Sequence, residues 1–450
     1  MIRSTTTSRG DNMNKTVLAV AMAAIAGGAN AQAVAPAYPD AAASDPAVLG
    51  WMRGSPPAPE KMIRYEDGSF LRFPQIRWTF SHVRELRPTA AVWHGSGPVA
   101  PLPVALTKLD DLRFDDDKGQ STTWADMLQR TYTDGIIVLH KGSVVYEKYF
   151  GVSTPVLPHS AFSITKSFIG LLAAMLAHEG KLDPNAPITA YVPEVKDSAY
   201  GDATVRQLMD MTIGVRYSEN YADKQSEVWD YARAGGMVPA PPGYAGPKNF
   251  YEFLRGLKKE GQHGDAFAYK TANAEMLSWV VRRAAGKPVA ELMSERIWSK
   301  LGAENDGYFQ VDSAGMESGG GGLSLPLRDM ARFGEMIRLG GKFNGQQIVP
   351  QAVVDDIRKG GDPARFAKAG YPDVPGYGKG YSYRNMWWVS HNGNGVFDAR
   401  GIHGQRIYID PKAEMVVVKF SSHPVASNLG NIPLTDRGFA ALAGVLGKGE

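Results

Sequence analysis

Residues 163 to 176 place the first constraint on this chain. Ser163-Ile164-Thr165-Lys166 stands at the head of a long apolar run, Phe168 to Leu176, which gives way to Gly180 and then Asp183-Pro184. The run reads as a helix that stops at Gly180. At about 3.6 residues per turn, Ser163 and Lys166 fall on one face, one above the other. At a helix N-terminus the serine oxygen sits among unpaired N–H groups and the positive end of the dipole, which favour a developing negative charge. A neighbouring lysine lowers the serine's barrier to attack if burial lowers its own pKa. The pattern points to serine acyl transfer. The plain alternative is that Ser163 only caps the helix.

Composition narrows the classes. The 450 residues are 44% hydrophobic and 21% charged, an ordinary globular balance that allows about two or three domains. A net charge of +3 with no long basic run gives no nucleic-acid footprint and no polybasic membrane patch. With no cysteine, disulfides, thiolate zinc sites and a cysteine nucleophile are excluded. No HExxH, P-loop or dinucleotide fingerprint is present, so no metal or cofactor is expected. Lys15, the apolar run Val17 to Ala26, and Ala29-Asn30-Ala31 before Gln32 have the form of an export signal with an A-x-A cleavage site. Met13 is a candidate start. The run is too short to span a bilayer and no later segment is long and apolar enough, so the expectation is an exported protein, periplasmic or secreted, with no stable membrane anchor.

Five segments follow. Residues 1–31 read as the signal peptide. Residues 32–115, rich in proline and alanine at first, read as an extended arm that wraps the body, with Trp78, Phe80 and Val83 able to pin it down. Residues 116–187 hold a short helix, Trp124 to Arg130, then two strands joined by a tight turn at His140-Lys141-Gly142, then the Ser163 helix. Residues 188–315 are mostly helical in pattern: Val205 to Met211, Asn249 to Leu257, Ala274 to Ala285 and Val289 to Leu301 carry helix-spaced apolar residues. Residues 316–450 begin at Gly319-Gly320-Gly321-Gly322, continue with an amphipathic helix from Asp329 to Leu339, and end in strands Gln405 to Ile409 and Met415 to Phe420 and a helix, Phe439 to Leu446. The order predicts an α+β fold: an antiparallel sheet flanked by helices, made from both chain ends, with an all-helical domain inserted.

Two further stretches join the serine and lysine. Tyr269, in Phe267-Ala268-Tyr269-Lys270-Thr271-Ala272-Asn273, supplies a phenol that can accept and return protons; a core aromatic is the alternative. Gly401-Ile402-His403-Gly404-Gln405 enters a strand, and small residues there let a substrate lie against backbone N–H groups that complete an oxyanion hole; a bulge is the alternative.

With these three elements in this order, the chain resembles the serine beta-lactamase and penicillin-binding-protein-like family, and within it the 6-aminohexanoate-dimer hydrolases. The resemblance runs from about Trp78 to Ser422. It is carried by Arg77-Trp78-Thr79-Phe80-Ser81-His82, Ser163 to Lys166, Tyr191-Val192-Pro193-Glu194, Tyr217-Ser218-Glu219-Asn220-Tyr221, Tyr269 to Asn273, Trp387-Trp388 and Gly401 to Gln405. It implies a beta-lactamase/DD-peptidase-like fold and Ser163 as nucleophile, with Lys166 and Tyr269 as acid–base partners and the base left open between them. It also implies an oxyanion hole from the N–H groups of Ser163 and Ile402. Tyr221 matches a tyrosine that reaches the scissile amide nitrogen from a mobile loop, and Trp388 a tryptophan that lines the pocket. Asn273 and His403 are expected on the substrate side.

Two departures bear on the substrate. His403-Gly404-Gln405 stands where true beta-lactamases resemble one another in Lys-Thr-Gly, which argues against a dedicated penicillin binder. The acidic residue that the resemblance places opposite a substrate ammonium falls at Ala232, with Asp230 close by as a substitute. The expected activity is serine hydrolysis of a small-molecule linear amide, 6-aminohexanoate-oligomer-like, or of an ester. Rivals are a carboxylesterase, a D-amino-acid peptidase or weak beta-lactamase, and a non-hydrolytic binding protein.

Overall fold

The computed structural model describes residues 38–374 and 376–447. The expected signal peptide, residues 1–31, lies outside them. Seven antiparallel strands form the main sheet, in the spatial order Ser382–Arg384, Trp387–Val389, Phe397–Gly401, Gln405–Asp410, Met415–Ser421, Thr133–His140, Ser143–Tyr149. The N-terminal hairpin thus closes onto the C-terminal strands, with Val417 opposite Val138 and Val418 opposite Ile137.

Both faces of this sheet are covered, which is why its central strands are apolar at nearly every position rather than alternating. Ile137, Leu139, Val416 and Val418 share a core with the helices Ile164–His178 and Leu327–Arg338, whose Phe168 and Phe333 stack at 4.0 Å. Ile136, Val138, Met415 and Val417 meet Trp124, Met127 and Phe439 from the helices Trp124–Arg130 and Ile432–Leu446. The strand period of two sorts these neighbours to opposite layers.

A second, four-stranded sheet has the order Thr89–Val92, Gly307–Gln310, Leu323–Leu325, His159–Ser160. Its last member leads directly into the Ser163 helix. Helices Val205–Met209, Glu227–Ala234, Phe250–Gly256 and Thr271–Ala285 lie between the two halves of the sheets in sequence. Helical structure ends at Leu301 rather than near 315, because Gly307–Gln310 is held as a strand by neighbours on both sides.

The described part of the arm is a string of short helical turns as far as Glu85, then enters the strand Thr89–Val92 and runs on without helix to the short strand Arg113–Asp115. Trp78, Phe80 and Val83 are buried in it. Arg77 anchors the arm in the interior: its guanidinium pairs with Asp134 at 3.4 Å and reaches Ser422 Oγ at 3.3 Å, while Asp134 also binds the His159 ring at 3.2 Å. Among the described residues, no helix is long and apolar enough to cross a membrane.

Candidate active site

Ser163 occupies the N-cap position of Ile164–His178 but makes no capping bond with its side chain. Its Oγ instead accepts a hydrogen bond from Lys166 Nζ at 2.7 Å. The capping alternative is therefore not what this hydroxyl does. Phe162, immediately before it, has φ 46°, the left-handed region an L-residue adopts only under constraint. The chain turns sharply from the strand His159–Ser160 into the helix there.

Lys166 is 1% exposed. Besides Ser163 it donates to the Gly320 carbonyl at 2.6 Å, and Nζ lies 5.1 Å from the centre of the Tyr269 ring. Burial pushes its pKa down to about 8, against the opposing pull of Glu219 and Glu275. A lysine in that range holds a fraction of neutral amine near pH 7, the form able to take a proton from serine. Burial also drives the Tyr269 phenol well above its ordinary value, so it is protonated at working pH; its side-chain interaction with Ser163 works weakly the other way. The structure therefore gathers Ser163, Lys166 and Tyr269 around one point.

Two glycines make the closeness possible. A Cβ on Gly320 would lie 2.8 Å from Glu275 Oε1 and equally near the Tyr231 hydroxyl, so only glycine lets the backbone thread between the helix Thr271–Ala285 and Lys166. A Cβ on Gly401 would lie 2.7 Å from the Ala161 carbonyl, two residues before Ser163. That approach brings the Gly401-Ile402 turn beside the nucleophile segment.

Trp388 is buried and stacks on Tyr269, with ring centres 5.3 Å apart and planes at 23°. Tyr221 sits half-buried in the loop between Arg216 and Ser226, edge-on to Trp229 at 6.4 Å. Burial and the nearby Glu219 raise its phenol. His403 lies in the turn after Ile402 at φ 63°, its Nδ1 2.6 Å from the His423 carbonyl and its ring against Phe80 and Phe162. Burial pushes its pKa down to about 4, so the ring is neutral. Phe80 comes from the arm, which therefore reaches the site. Asn273 is fully buried, and its Oδ1 accepts from the Tyr200 hydroxyl at 3.2 Å; its partner is a core residue and not one of the three at the centre.

Asp230 does not stand in for the acid missing at Ala232. Both lie on the helix Glu227–Ala234, where two residues correspond to about 200° of rotation, so they leave the helix on opposite sides. Asp230 is paired with Arg233 at 3.0 Å and accepts from the Tyr244 hydroxyl at 3.1 Å, whereas Ala232 is buried.

Two carboxylates escaped sequence reasoning. Glu275, fully buried, accepts four hydrogen bonds: from Tyr231 at 2.7 Å, Ser318 Oγ at 2.8 Å and the N–H groups of Gly319 at 2.8 Å and Gly320 at 2.9 Å. It holds the turn whose Gly320 carbonyl receives Lys166. Glu219 accepts the N–H of Thr271, the first residue of its helix, and so ties the Tyr221 loop to the Tyr269 segment at the positive helix end. One signal was available: Glu275 is a lone charge in the apolar run Ala272 to Leu277.

A serine–lysine–tyrosine cluster with its lysine buried, at the head of a central helix beside an antiparallel sheet, defines a serine hydrolase that works through an acyl-enzyme. The chain belongs to the beta-lactamase family, whose profile matches residues 125–434. It is 34% identical over 392 residues to a 6-aminohexanoate-dimer hydrolase of Paenarthrobacter ureafaciens, covering 86% of this chain and 91% of that one. A solved Bacillus anthracis structure, described as a candidate 6-aminohexanoate-dimer hydrolase, superposes with a TM-score of 0.79 at 33% identity, covering 88% of this chain and 99% of the other. EstCE1, a hydrolase with promiscuous acyltransferase activity, shares the fold at 17% identity, with a TM-score of 0.53 over 71% of this chain and 98% of its own.

Proposed function

We propose that Ser163 attacks the carbonyl of a linear amide and that water then releases the acyl group. The observation that carries this is the 2.7 Å bond between Lys166 Nζ and Ser163 Oγ in a site where burial has pulled the lysine down to about 8. Neutral Lys166 takes the serine proton as the Oγ–carbon bond forms. The N–H groups of Ser163 and Ile402 receive the carbonyl oxygen as it becomes negative. Tyr269 gives its proton to the leaving group and is reprotonated by Lys166, which so passes on the proton taken from serine, and Tyr221 steadies an amide nitrogen from the loop side. Trp388 walls the pocket against Tyr269 and His403 stands beside Phe162, whereas Asn273 Oδ1 is held by the Tyr200 hydroxyl and its Nδ2 is buried without a partner. The beginning of the chain supports export of the mature protein from Gln32 onward.

The substrate class is argued from what faces the loop. The relative at 34% identity acts on 6-aminohexanoate dimer by its name, and this chain carries Tyr221 on a loop and Trp388 stacked on Tyr269. With Ala232 buried and Asp230 paired with Arg233, however, neither of the two expected positions offers a free carboxylate to a substrate ammonium, while Glu227 on the same helix accepts the N–H of Ser218 at 3.1 Å. The reading is an amidase for linear amides whose loop-side end is uncharged. That same feature favours a second reading, a carboxylesterase, since an ester needs neither the ammonium contact nor help at nitrogen. Kinetics on linear amides with free and with acylated amino ends, against matched p-nitrophenyl esters, separates the two. A fluorophosphonate probe labels Ser163 in the wild type; equal labelling and activity in Ser163→Ala, in place of a loss of about a thousand-fold or more in kcat, would overturn the nucleophile itself.

A further inference from the structure

The residues flanking Ile402 and His403, namely Gly401, Gly404 and Gln405, also line a small cavity of about 40 Å³. Arg406, Lys419 and Asn431 complete much of its wall. It is rich in donors. Arg406 is buried, and while its Nη2 pairs with Asp398 and, at 2.7 Å, with Asp436, its Nε has no partner. Asn431 Nδ2 is likewise buried and unpartnered. Asn431 is the N-cap of the 15-residue helix Ile432–Leu446 and makes no capping bond with its side chain; the Ile432 N–H is taken by the Leu429 carbonyl and Pro433 has none, so the helix end contributes its positive dipole rather than free N–H groups. Nearby polar groups are partly engaged: Gln405 Oε1 receives the N–H of Ser421 at 3.0 Å, and the Thr435 hydroxyl spends its hydrogen on the Asn431 and Ile432 carbonyls.

The charges do not balance. Arg400 is paired with Asp398 at 3.0 Å, and Arg406 with Asp398 and Asp436. Lys419, 1% exposed, has no carboxylate within ion-pairing distance; its Nζ donates to Ser421 Oγ. One buried cation is left without a counter-charge next to two orphaned N–H donors, Arg406 Nε and Asn431 Nδ2. A water molecule brings hydrogens of its own and needs acceptors as well as donors, whereas an anion only accepts. One water molecule needs about 10–15 Å³ of such space, so the cavity has room for a small ion with a little to spare.

We propose that this cavity binds a small inorganic monoanion of about chloride's size, held by Arg406 Nε, Lys419 Nζ and Asn431 Nδ2. Its occupancy braces the turn that carries Ile402. In keeping with this, burial and the Arg406 charge push Lys419 down to about 7, with Asp134 opposing; an anion in the cavity supplies the partner that would keep it protonated.

Thermal unfolding of the purified protein at constant ionic strength tests the site, with chloride or bromide exchanged for gluconate, which is too large to enter. The expected result is a rise in Tm of a few degrees that saturates with chloride or bromide and is lost in Lys419→Met. Crystals of the wild type grown in bromide should show an anomalous peak between Arg406 and Lys419. Equal Tm in chloride and gluconate, an anion response retained by Lys419→Met, or a cavity without a bromide peak would each overturn the proposal. If Lys419→Met does not fold, the two wild-type measurements decide.

Discussion

Replacing Glu275 by glutamine tests the cluster through a residue that never touches substrate. Three donors converge on Oε1, from Tyr231, Ser318 and Gly320, and one on Oε2, from Gly319 at 2.8 Å. The best placement of the glutamine keeps its oxygen on the three-donor side. Its amide N–H then faces the N–H of Gly319, donor against donor. Leaving one buried donor unsatisfied costs about 1–3 kcal/mol. With an unfolding entropy of about 2.1 cal/mol/K per residue over a chain of this length, that is a fall in Tm of about 1 to 3 °C. The second effect is electrostatic. Glu275 raises the Lys166 pKa, so removing its charge lets burial take Lys166 below about 8. More neutral amine is then present at any given pH, and the acid limb of kcat/KM moves to lower pH. Calorimetry and a pH–rate profile on a p-nitrophenyl ester read the two effects separately. An acid limb that stays in place or moves upward, in a variant that shows the expected Tm loss, would refute the assignment of that limb to Lys166. An unchanged Tm would refute the hydrogen-bond argument.

Three other perturbations extend the test. Lys166→Arg keeps a charge that cannot be given up at working pH, so kcat should fall by about a hundred-fold or more, close to Lys166→Ala; retention of most activity would show that Lys166 supplies only positive charge. Tyr221→Phe keeps the edge-on contact with Trp229 but removes one hydrogen bond, so amide turnover should fall about ten-fold while ester turnover changes much less; equal losses would take Tyr221 out of the mechanism. His403 titrates at about 4 in the fold against 6.5 when free, so between those values the unfolded chain binds the extra proton and stability falls as pH drops from 6.5 towards 4. His403→Asn should flatten that part of a Tm-versus-pH curve, and an unaltered slope would show that the ring is not held neutral.

The parts of the fold written in contiguous residues were legible. The hairpin Thr133–His140 and Ser143–Tyr149 carries its own turn, and Ile164–His178 its own apolar run and stop, so local pattern suffices. The strands Ser382–Arg384, Trp387–Val389 and Phe397–Gly401 were not read as strands, because they are three to five residues long and lie among Asn and Gly; neighbours far along the chain decide them. The reactive trio showed in spacing and motif. What tunes it did not: Gly319 to Gly322 read as a break between elements, and only packing against Glu275 turns the Gly320 carbonyl into a partner for Lys166. Asp230 was equally opaque, since pairing with Arg233 depends on which side of its helix each residue leaves.

The antiparallel pairing of Thr133–His140 with Met415–Ser421 also dictates when this protein can fold. During synthesis the hairpin emerges with the edge of Thr133–His140 open, and the strand that closes it is almost 300 residues away in sequence. The helix bearing Ser163 has no complete sheet to lie on until that strand arrives. Contacts of such separation are slow to form, and an open apolar strand edge is a template for pairing with other chains. Most of the polypeptide must therefore wait, unfinished and prone to association, for its last tenth. Loss of the final strand and helix by a late stop codon would accordingly remove the whole fold rather than trim one end of it.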